Sequence, residues 1–213
     1  MNLFIFICQQ TLIFLVPLLL VGLGDLFSER SGVLNIALEG IMVFGAFAGI
    51  MFIRSASAAM PSWLVLLIAI LISILAGILL SSLHAFASIH LKAEQTISST
   101  AIITFAMAFC IFYARVMLGT EQVVFRNTFR IDAVPLLSKI PVLGPILFQK
   151  AYVTTYLGIL VLIVTAFILK RTRFGLRLRS CGENPQAADS VGISVYKMRY
   201  SGVLISGALA GLG

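Results

Sequence analysis

Residues 62–83 read SWLVLLIAILISILAGILLSSL, and this stretch decides the fold. It contains no Asp, Glu, Lys or Arg, and the charge-free run around it extends from residue 55 to residue 91. About 20 apolar residues in a helix span the hydrocarbon core of a bilayer. Lipid offers no partner to backbone amides, so such a segment crosses the membrane as a helix. The stretch therefore predicts a transmembrane helix.

The rest of the chain has the same character, with 60% hydrophobic and 11% charged residues, whereas a soluble domain has about 25% charged residues. From Ser201 to the last residue the sequence offers only about 20 Å of helix, which is less than a core of ~30 Å. We predict an all-α, polytopic transmembrane helical bundle that forms one domain over residues 1–213, with five full spans and an incomplete sixth. The predicted spans are residues 3–24, 33–53, 62–83, 96–118 and 151–169, with the sixth opening at Ser201.

Seven of the fifteen cationic residues lie between Lys170 and Arg199. Cytoplasmic loops of membrane proteins are rich in Lys and Arg, so we place the loop 170–200 in the cytoplasm and the N-terminus outside. The net charge of +7 is then an orientation signal, and no nucleic-acid partner is expected.

The basic loop has internal structure beyond its charge. Asn184 and Pro185 have the order of a helix N-cap and first helical residue. Residues 186–191 can then form about two turns that end at Gly192, before Ser194 starts a helix leading into the sixth span. A docking element is one interpretation. The other is a plain positive-inside loop that touches anionic membrane lipid.

Polar residues within the predicted spans are candidates for a substrate path. Glu39 lies about six residues into the second span, roughly 9 Å deep, and Asn35 precedes it by four residues on the same helix face. Buried carboxylates are commonly functional, although Glu39 can also snorkel or bond a neighbouring helix. Ser98 and Ser99 belong to a polar cluster that opens the fourth span. They either line a cavity or bond their own helix carbonyls.

Several other features receive a structural interpretation. The histidines His84 and His90 flank a short connection and are expected to be solvated or interfacial. Gly45 with Gly49, and Gly207 with Gly211, are spaced to allow close helix packing. Residues 140–148 are expected to lie on the surface or to re-enter the membrane.

The sequence contains no phosphate-binding loop, nucleophile elbow or HExxH motif. Its three cysteines, Cys8, Cys110 and Cys181, lack metal-ligand spacing. We therefore expect no catalytic residue, no metal and no cofactor, and the chain is not expected to be an enzyme.

Three long stretches carry a family resemblance. They are SERSGVLNIALEGIMVFGAF at 28–47, IPVLGPILF at 140–148, and RTRFGLRLRSCGENPQAADSVGISVYKMRYSGVLISGALAGL at 171–212. They resemble permease subunits of bacterial ABC importers, in the branch for simple sugars and nucleosides. The resemblance implies a multi-pass protein of the bacterial inner membrane that works by alternating access. It also implies that the segment 175–192 docks on an ATP-binding subunit. The residues that match the docking pattern are Gly182, Glu183, Asn184, Pro185, Ala187, Ala188 and Gly192.

The form of GVLNIALEG at 32–40 favours nucleosides or related solutes over simple sugars. The resemblance further implies a second permease subunit, a different chain or a second copy, and a substrate-binding lipoprotein. Family members continue for about a hundred residues with further spans, so the chain is expected to be C-terminally truncated. The alternatives are a simple-sugar ABC permease, an ion-coupled secondary transporter that uses Asn35 and Glu39, and a membrane scaffold without transport activity.

Overall fold

The computed structural model describes residues 3–56, 60–120, 123, 130–133 and 149–213. Its long helices are α1 (Leu3–Arg30), α2 (Leu38–Ser55), α3 (Ser62–Ala85), α4 (Gln95–Leu118) and α5 (Val153–Arg171). The shorter helices α6 (Arg173–Glu183) and α7 (Pro185–Ser190) precede α8 (Val195–Leu212). A π-helical turn, Phe86–His90, extends α3, and two short strands, β1 (Arg130–Ala133) and β2 (Gln149–Tyr152), pair antiparallel.

Five helices, α1 to α5, are long and apolar enough to cross a membrane, which confirms the five predicted spans. Large apolar side chains such as Leu75, Phe112 and Phe167 are each more than 60% exposed on the outer faces of these helices. Such surfaces suit hydrocarbon as solvent, whereas a soluble monomer rarely exposes large apolar patches. The chain is a multi-pass membrane protein.

Helix α8 lies at the centre, packed against α1, α2 and α3. Its glycines let the backbones approach closely: a Cβ atom built on Gly45 of α2 would lie 2.7 Å from the Cα of Gly211. The predicted close packing at these two glycines is confirmed. Ile41, Leu80 and Ala210 form the core between α2, α3 and α8, and Phe27, Leu169 and Leu178 join α1, α5 and α6 in a second cluster.

The predicted start of the second span at residue 33 is wrong, because α2 begins at Leu38. Residues 31–37 form a non-helical connection, which we call the linker. Gly32 adopts a φ of +82° there, a conformation that favours glycine. The amide of Val33 donates to the carbonyl of Ser28, and the Ser28 hydroxyl donates to the Val33 carbonyl. These bonds turn the chain instead of continuing a helix.

Other boundaries differ in smaller ways. Helix α1 runs six residues past the predicted end, because a helix can continue beyond the apolar core into the interface. Helix α5 starts at Val153 after the two-stranded ladder, which the sequence did not predict. Helix α8 starts at Val195, six residues before Ser201, just after Ser194 as predicted. The expectation for residues 140–148 falls outside the described residues.

Candidate functional site

One end of the bundle collects every predicted cytoplasmic segment. The linker, the π-helical turn and helices α6 and α7 meet there, and we call it the loop end. Two contacts illustrate the gathering: Gly182 of α6 lies against Gly32 of the linker, and the Nδ1 of His90 is 2.8 Å from the hydroxyl of Tyr200. Both sets of predicted site residues lie at or near this end.

Helix α6 leaves α5 through a tight corner. The Thr172 hydroxyl accepts from the amide of Gly175 at 3.2 Å and so caps α6. A Cβ atom on Gly175 would overlap the carbonyl of Ile168 and lie 2.6 Å from the Cα of Leu169. The corner therefore requires a glycine at 175. It directs α6 away from the axis of α5.

Helix α7 has the caps that the sequence predicted. The Asn184 side-chain oxygen accepts from the amide of Ala187 at 3.0 Å, and Pro185 is the first helical residue. At the other end Gly192 has a φ of +80°, its amide donates to the Asp189 carbonyl, and the amide of Ile193 donates to the Ala188 carbonyl. This pair of bonds is a Schellman motif. The short capped helix is confirmed, at Pro185–Ser190.

The surface of α7 divides its residues into two groups. Ala188 is buried and seats α7 on the rest of the loop, whereas Ala187 and the flanking residues Glu183, at the end of α6, and Val191, the C-cap of α7, are exposed. A shallow groove of about 220 Å³ runs between α7 and the end of α6 and is lined by residues of both groups. Val191 is 73% exposed, so α7 presents apolar surface away from the bundle.

The end of α6 is joined tightly to the end of α1. A Cβ atom on Gly182 would lie 2.5 Å from the carbonyl oxygen of Arg30 and 3.2 Å from the amide nitrogen of Gly32. Cys181 is fully buried beside this contact. Burial raises the pKa of its thiol, while the hydrogen bond from Ser180 and the charge of Arg199 act in the opposite direction. A thiol of this kind is unreactive, consistent with a structural cysteine.

The second set of predicted residues is only partly brought together. Asn35 and Glu39 do not share a helix face, because Asn35 lies in the linker and Glu39 in the first turn of α2. Asn35 is 1% exposed and donates from Nδ2 to the Ser206 hydroxyl at 3.2 Å. Glu39 is exposed, where the helix N-terminus favours a carboxylate. The predicted polar strip along one helix is therefore wrong.

His84 was predicted to be solvated or interfacial, and this is wrong, because its side chain is fully buried. Its Nε2 lies 3.0 Å from the carbonyl oxygen of Leu34, and its Nδ1 lies 3.1 Å from the hydroxyl of Ser98. A carbonyl only accepts, so Nε2 carries the proton, and in the neutral ring Nδ1 accepts from Ser98. The Leu34 amide donates to Oε1 of Gln95 at 2.8 Å. His84 of α3 and Gln95 of α4 thus bind the carbonyl and the amide of Leu34 in the linker.

Two buried polar atoms near this network have no hydrogen-bond partner among the described residues. They are the Oδ1 of Asn35 and the hydroxyl oxygen of Ser99. Buried polar atoms are nearly always paired with protein, water or ligand. We call Asn35, Ser98 and Ser99, together with Ser206 and His84, the polar region; its hydrogen bonds join Asn35 to Ser206 and Ser98 to His84. Ser206 was not among the predicted residues, because its only signal in the sequence is a hydroxyl between the glycines of α8, and no role was predicted for His84.

A family model described as "Branched-chain amino acid transport system / permease component" matches residues 7–213. The guanosine ABC transporter permease protein NupQ of Bacillus subtilis is 46% identical over 212 residues, covering 97% of this chain and 65% of the relative. The nucleoside ABC transporter permease protein NupC of Lactococcus lactis subsp. cremoris is 43% identical over 210 residues, with the same coverage. The chain thus spans about two thirds of the length of these relatives. No solved structure matches.

Proposed function

The chain belongs to the branched-chain amino acid transport system / permease component family, and from this membership we propose that it is the membrane-spanning permease subunit of an ATP-driven importer of nucleosides. The loop end faces the cytoplasm of a bacterial cell in this proposal. Helix α7 docks on a separate ATP-binding subunit. A second permease subunit and a substrate-binding lipoprotein complete the transporter.

The capped helix α7 is the observation that carries the proposal. A short helix with caps at both ends holds its shape without a long hydrophobic core behind it. Its buried Ala188 fixes it to the bundle, and its exposed Ala187 and Val191 are available to a partner. The contact of Gly182 with the end of α1 gives a direct route from α7 to the linker. Movement of an attached ATPase would reach the polar region by this route.

Charge placed on the exposed face of α7 is expected to release the ATPase. In Ala187→Glu and Val191→Glu, a carboxylate must be desolvated in the docked complex, so co-purification of the ATP-binding subunit should fall about tenfold or more, the change that about 1.4 kcal/mol produces. The measurement is the ratio of the two subunits after affinity purification from detergent-solubilised membranes.

A matched control separates docking from general damage. Met60→Glu adds the same charge at an exposed apolar residue at the opposite end of the bundle and should leave the subunit ratio unchanged. The α7 variants should also elute from size-exclusion columns as the parent does. Full retention of the ATPase by both α7 variants would remove the docking assignment.

For the substrate path we propose Asn35, Ser98 and Ser99, with Glu39 at its exposed edge. The support is the pair of buried atoms without a hydrogen-bond partner among the described residues, Asn35 Oδ1 and Ser99 Oγ, which suit the hydroxyl and amino groups of a nucleoside. Helix α4 also carries an exposed row of three threonines, Thr96, Thr100 and Thr104. The last two donate to carbonyls one turn back, as the alternative interpretation of this cluster expected.

Uptake of labelled nucleosides is expected to depend on Asn35. Asn35→Ala removes the Oδ1 acceptor, and loss of one buried hydrogen bond costs about 1–3 kcal/mol, so uptake should fall about tenfold while ATPase co-purification stays normal. Glu39→Ala should also lower uptake, by a smaller factor because its carboxylate is exposed. The assay uses cells that carry the chain, its ATPase and the second permease subunit.

The same assay tests the substrate class. Guanosine, adenosine, uridine, ribose and glucose are offered as competitors of labelled guanosine. Competition by the nucleosides and not by the two sugars supports the proposal. Uptake of glucose or ribose in preference to nucleosides would favour the simple-sugar alternative. Uptake without any ATPase would contradict the importer mechanism.

A further inference from the structure

A second, apolar groove lies between α1, α5, α6 and α8, away from the polar region. Its volume is about 640 Å³, within the range of about 300–1,000 Å³ that is typical of ligand pockets. Phe27 of α1, Val164 and Ile168 of α5, Phe174 of α6 and Leu209 of α8 form its wall. None of the described residues that line it is charged.

The groove offers almost no hydrogen bonding to an occupant. The hydroxyl of Thr172, at its loop end, donates to the Ile168 carbonyl at 2.6 Å and accepts from the amide of Gly175. Along α5 the lining extends from Leu160 to Ile168, which is about 12 Å of helix. A long hydrocarbon chain matches this shape and chemistry better than a polar solute does.

Cationic residues are next in sequence to the residues that line the groove at the corner of α5 and α6. The lining residues Thr172 and Phe174 alternate in sequence with two arginines. All three cations of the corner are exposed: Lys170, Arg171 and Arg173. A guanidinium group binds a phosphate through two parallel hydrogen bonds. Cations that can bind a phosphate and an apolar groove that can hold a hydrocarbon chain therefore adjoin each other in sequence.

Helix α6 adds an independent observation. Its buried face carries Leu178 and Cys181. Arg173 and Arg177 are four residues apart, so they share one face with each other, and this face is exposed. Leu176 is 63% exposed beside them. A short helix with a basic face and apolar side chains next to it is typical of helices that lie in the membrane interface. Helix α6 thus has the amphipathic pattern of an interfacial helix.

We propose that the groove and the corner bind one anionic phospholipid. An acyl chain occupies the groove along α5, and the phosphate contacts Arg171 and Arg173. A zwitterionic lipid fits the groove equally well, but its positive choline group offsets the phosphate in front of three cations. The site therefore selects for net negative charge. It uses surfaces that neither the docking helix nor the substrate path needs.

The test is native mass spectrometry of the full chain in mild detergent, titrated with phosphatidylglycerol or phosphatidylcholine that have identical acyl chains. Phosphatidylglycerol should bind one site about tenfold more tightly, given the attraction of each nearby basic residue for anionic lipid. Replacing both arginines, Arg171→Gln with Arg173→Gln, should remove this preference and leave phosphatidylcholine binding unchanged. Val164→Trp should weaken both lipids, because it fills the groove.

Two matched controls complete the design. Lys92→Gln removes an exposed cation at the loop end, between the π-helical turn and α4, and Arg54→Gln removes one at the opposite end. Both should keep the preference. The proposal is overturned if the two lipids bind equally, if Lys92→Gln lowers the preference as much as the double variant, or if a second protein chain occupies the groove. If Val164→Trp elutes as an aggregate, Leu160→Phe, at a 56% exposed position, replaces it in the same assay.

Discussion

Replacing Gly77 by valine is expected to leave little folded protein. A Cβ atom at this position would overlap the carbonyl oxygen of Gly207 and lie 3.0 Å from the Cα of Gly211. Both neighbours are backbone atoms of α8, so no change of side-chain rotamer can relieve the contact. Overpacking of a core costs about 1–3 kcal/mol. Separating α3 from the central helix should raise the loss of stability to about 3 kcal/mol or more.

The matched control is Gly22→Val. Gly22 also lies in a transmembrane helix, but a Cβ atom there would have no neighbour within 4 Å in the part of the chain that the structure describes. The two variants can be compared by size-exclusion chromatography of detergent-solubilised protein after a series of heating steps. Gly22→Val should elute like the parent protein, whereas Gly77→Val should elute mainly as aggregate before heating. Equal thermal stability of the two variants would contradict the close approach of α3 and α8.

The second large effect is expected from His84→Leu. This change removes the donor to the Leu34 carbonyl and the acceptor for the Ser98 hydroxyl. An unsatisfied buried polar group costs about 1–3 kcal/mol, and two groups lose their partner here. We expect a destabilisation of about 2–4 kcal/mol, together with loss of the linker conformation. Faster hydrogen–deuterium exchange at residues 31–37, measured by mass spectrometry, reports that local change.

Two further variants show whether the loss of stability is due to the hydrogen bonds of the buried His84 ring. His90→Leu removes an exposed imidazole that bonds only the Tyr200 hydroxyl among the described residues, so it should cost less than about 1 kcal/mol. His84→Gln keeps a group that both donates and accepts, so it should restore part of the lost stability. If leucine and glutamine at position 84 gave the same exchange rate in the linker, the hydrogen bonds would not be its support.

The sequence was sufficient to predict the five spans, but it was insufficient to predict where the second span begins. Hydropathy reports which residues prefer lipid, and by that measure Val33 and Leu34 belong to the second span. The backbone of Leu34 is instead paired with Gln95 and His84. A non-helical segment that is buried within a membrane protein is stable only where protein satisfies its polar groups. Those partners come from helices about 50 and 60 residues further along the chain, which no local pattern reveals.

The two parts of the candidate site differ in the same way. Helix α7 was predictable because its caps are local: Asn184, Pro185 and Gly192 act on amides and carbonyls within five residues of themselves. The polar region was not, because Asn35 finds Ser206 only in the folded bundle. Close packing of Gly45 against Gly211 was an intermediate case. The spacing of small residues indicated packing faces without indicating which faces meet.

The hydrogen bond between Asn35 and Ser206 joins residues 171 positions apart. During biosynthesis Ser206 is therefore made much later than Asn35. A ribosome adds about 5–20 residues per second, so roughly 10–30 s pass between the two side chains. Throughout that interval the newly inserted N-terminal helices hold an amide whose final partner has not yet been made. Helix α8, which packs at the centre of the described helices, is also the last of them to be synthesised. A nascent chain stalled before residue 206 would therefore expose an unfinished polar region to cellular quality control, even though α1 to α5 and the linker had already been synthesised.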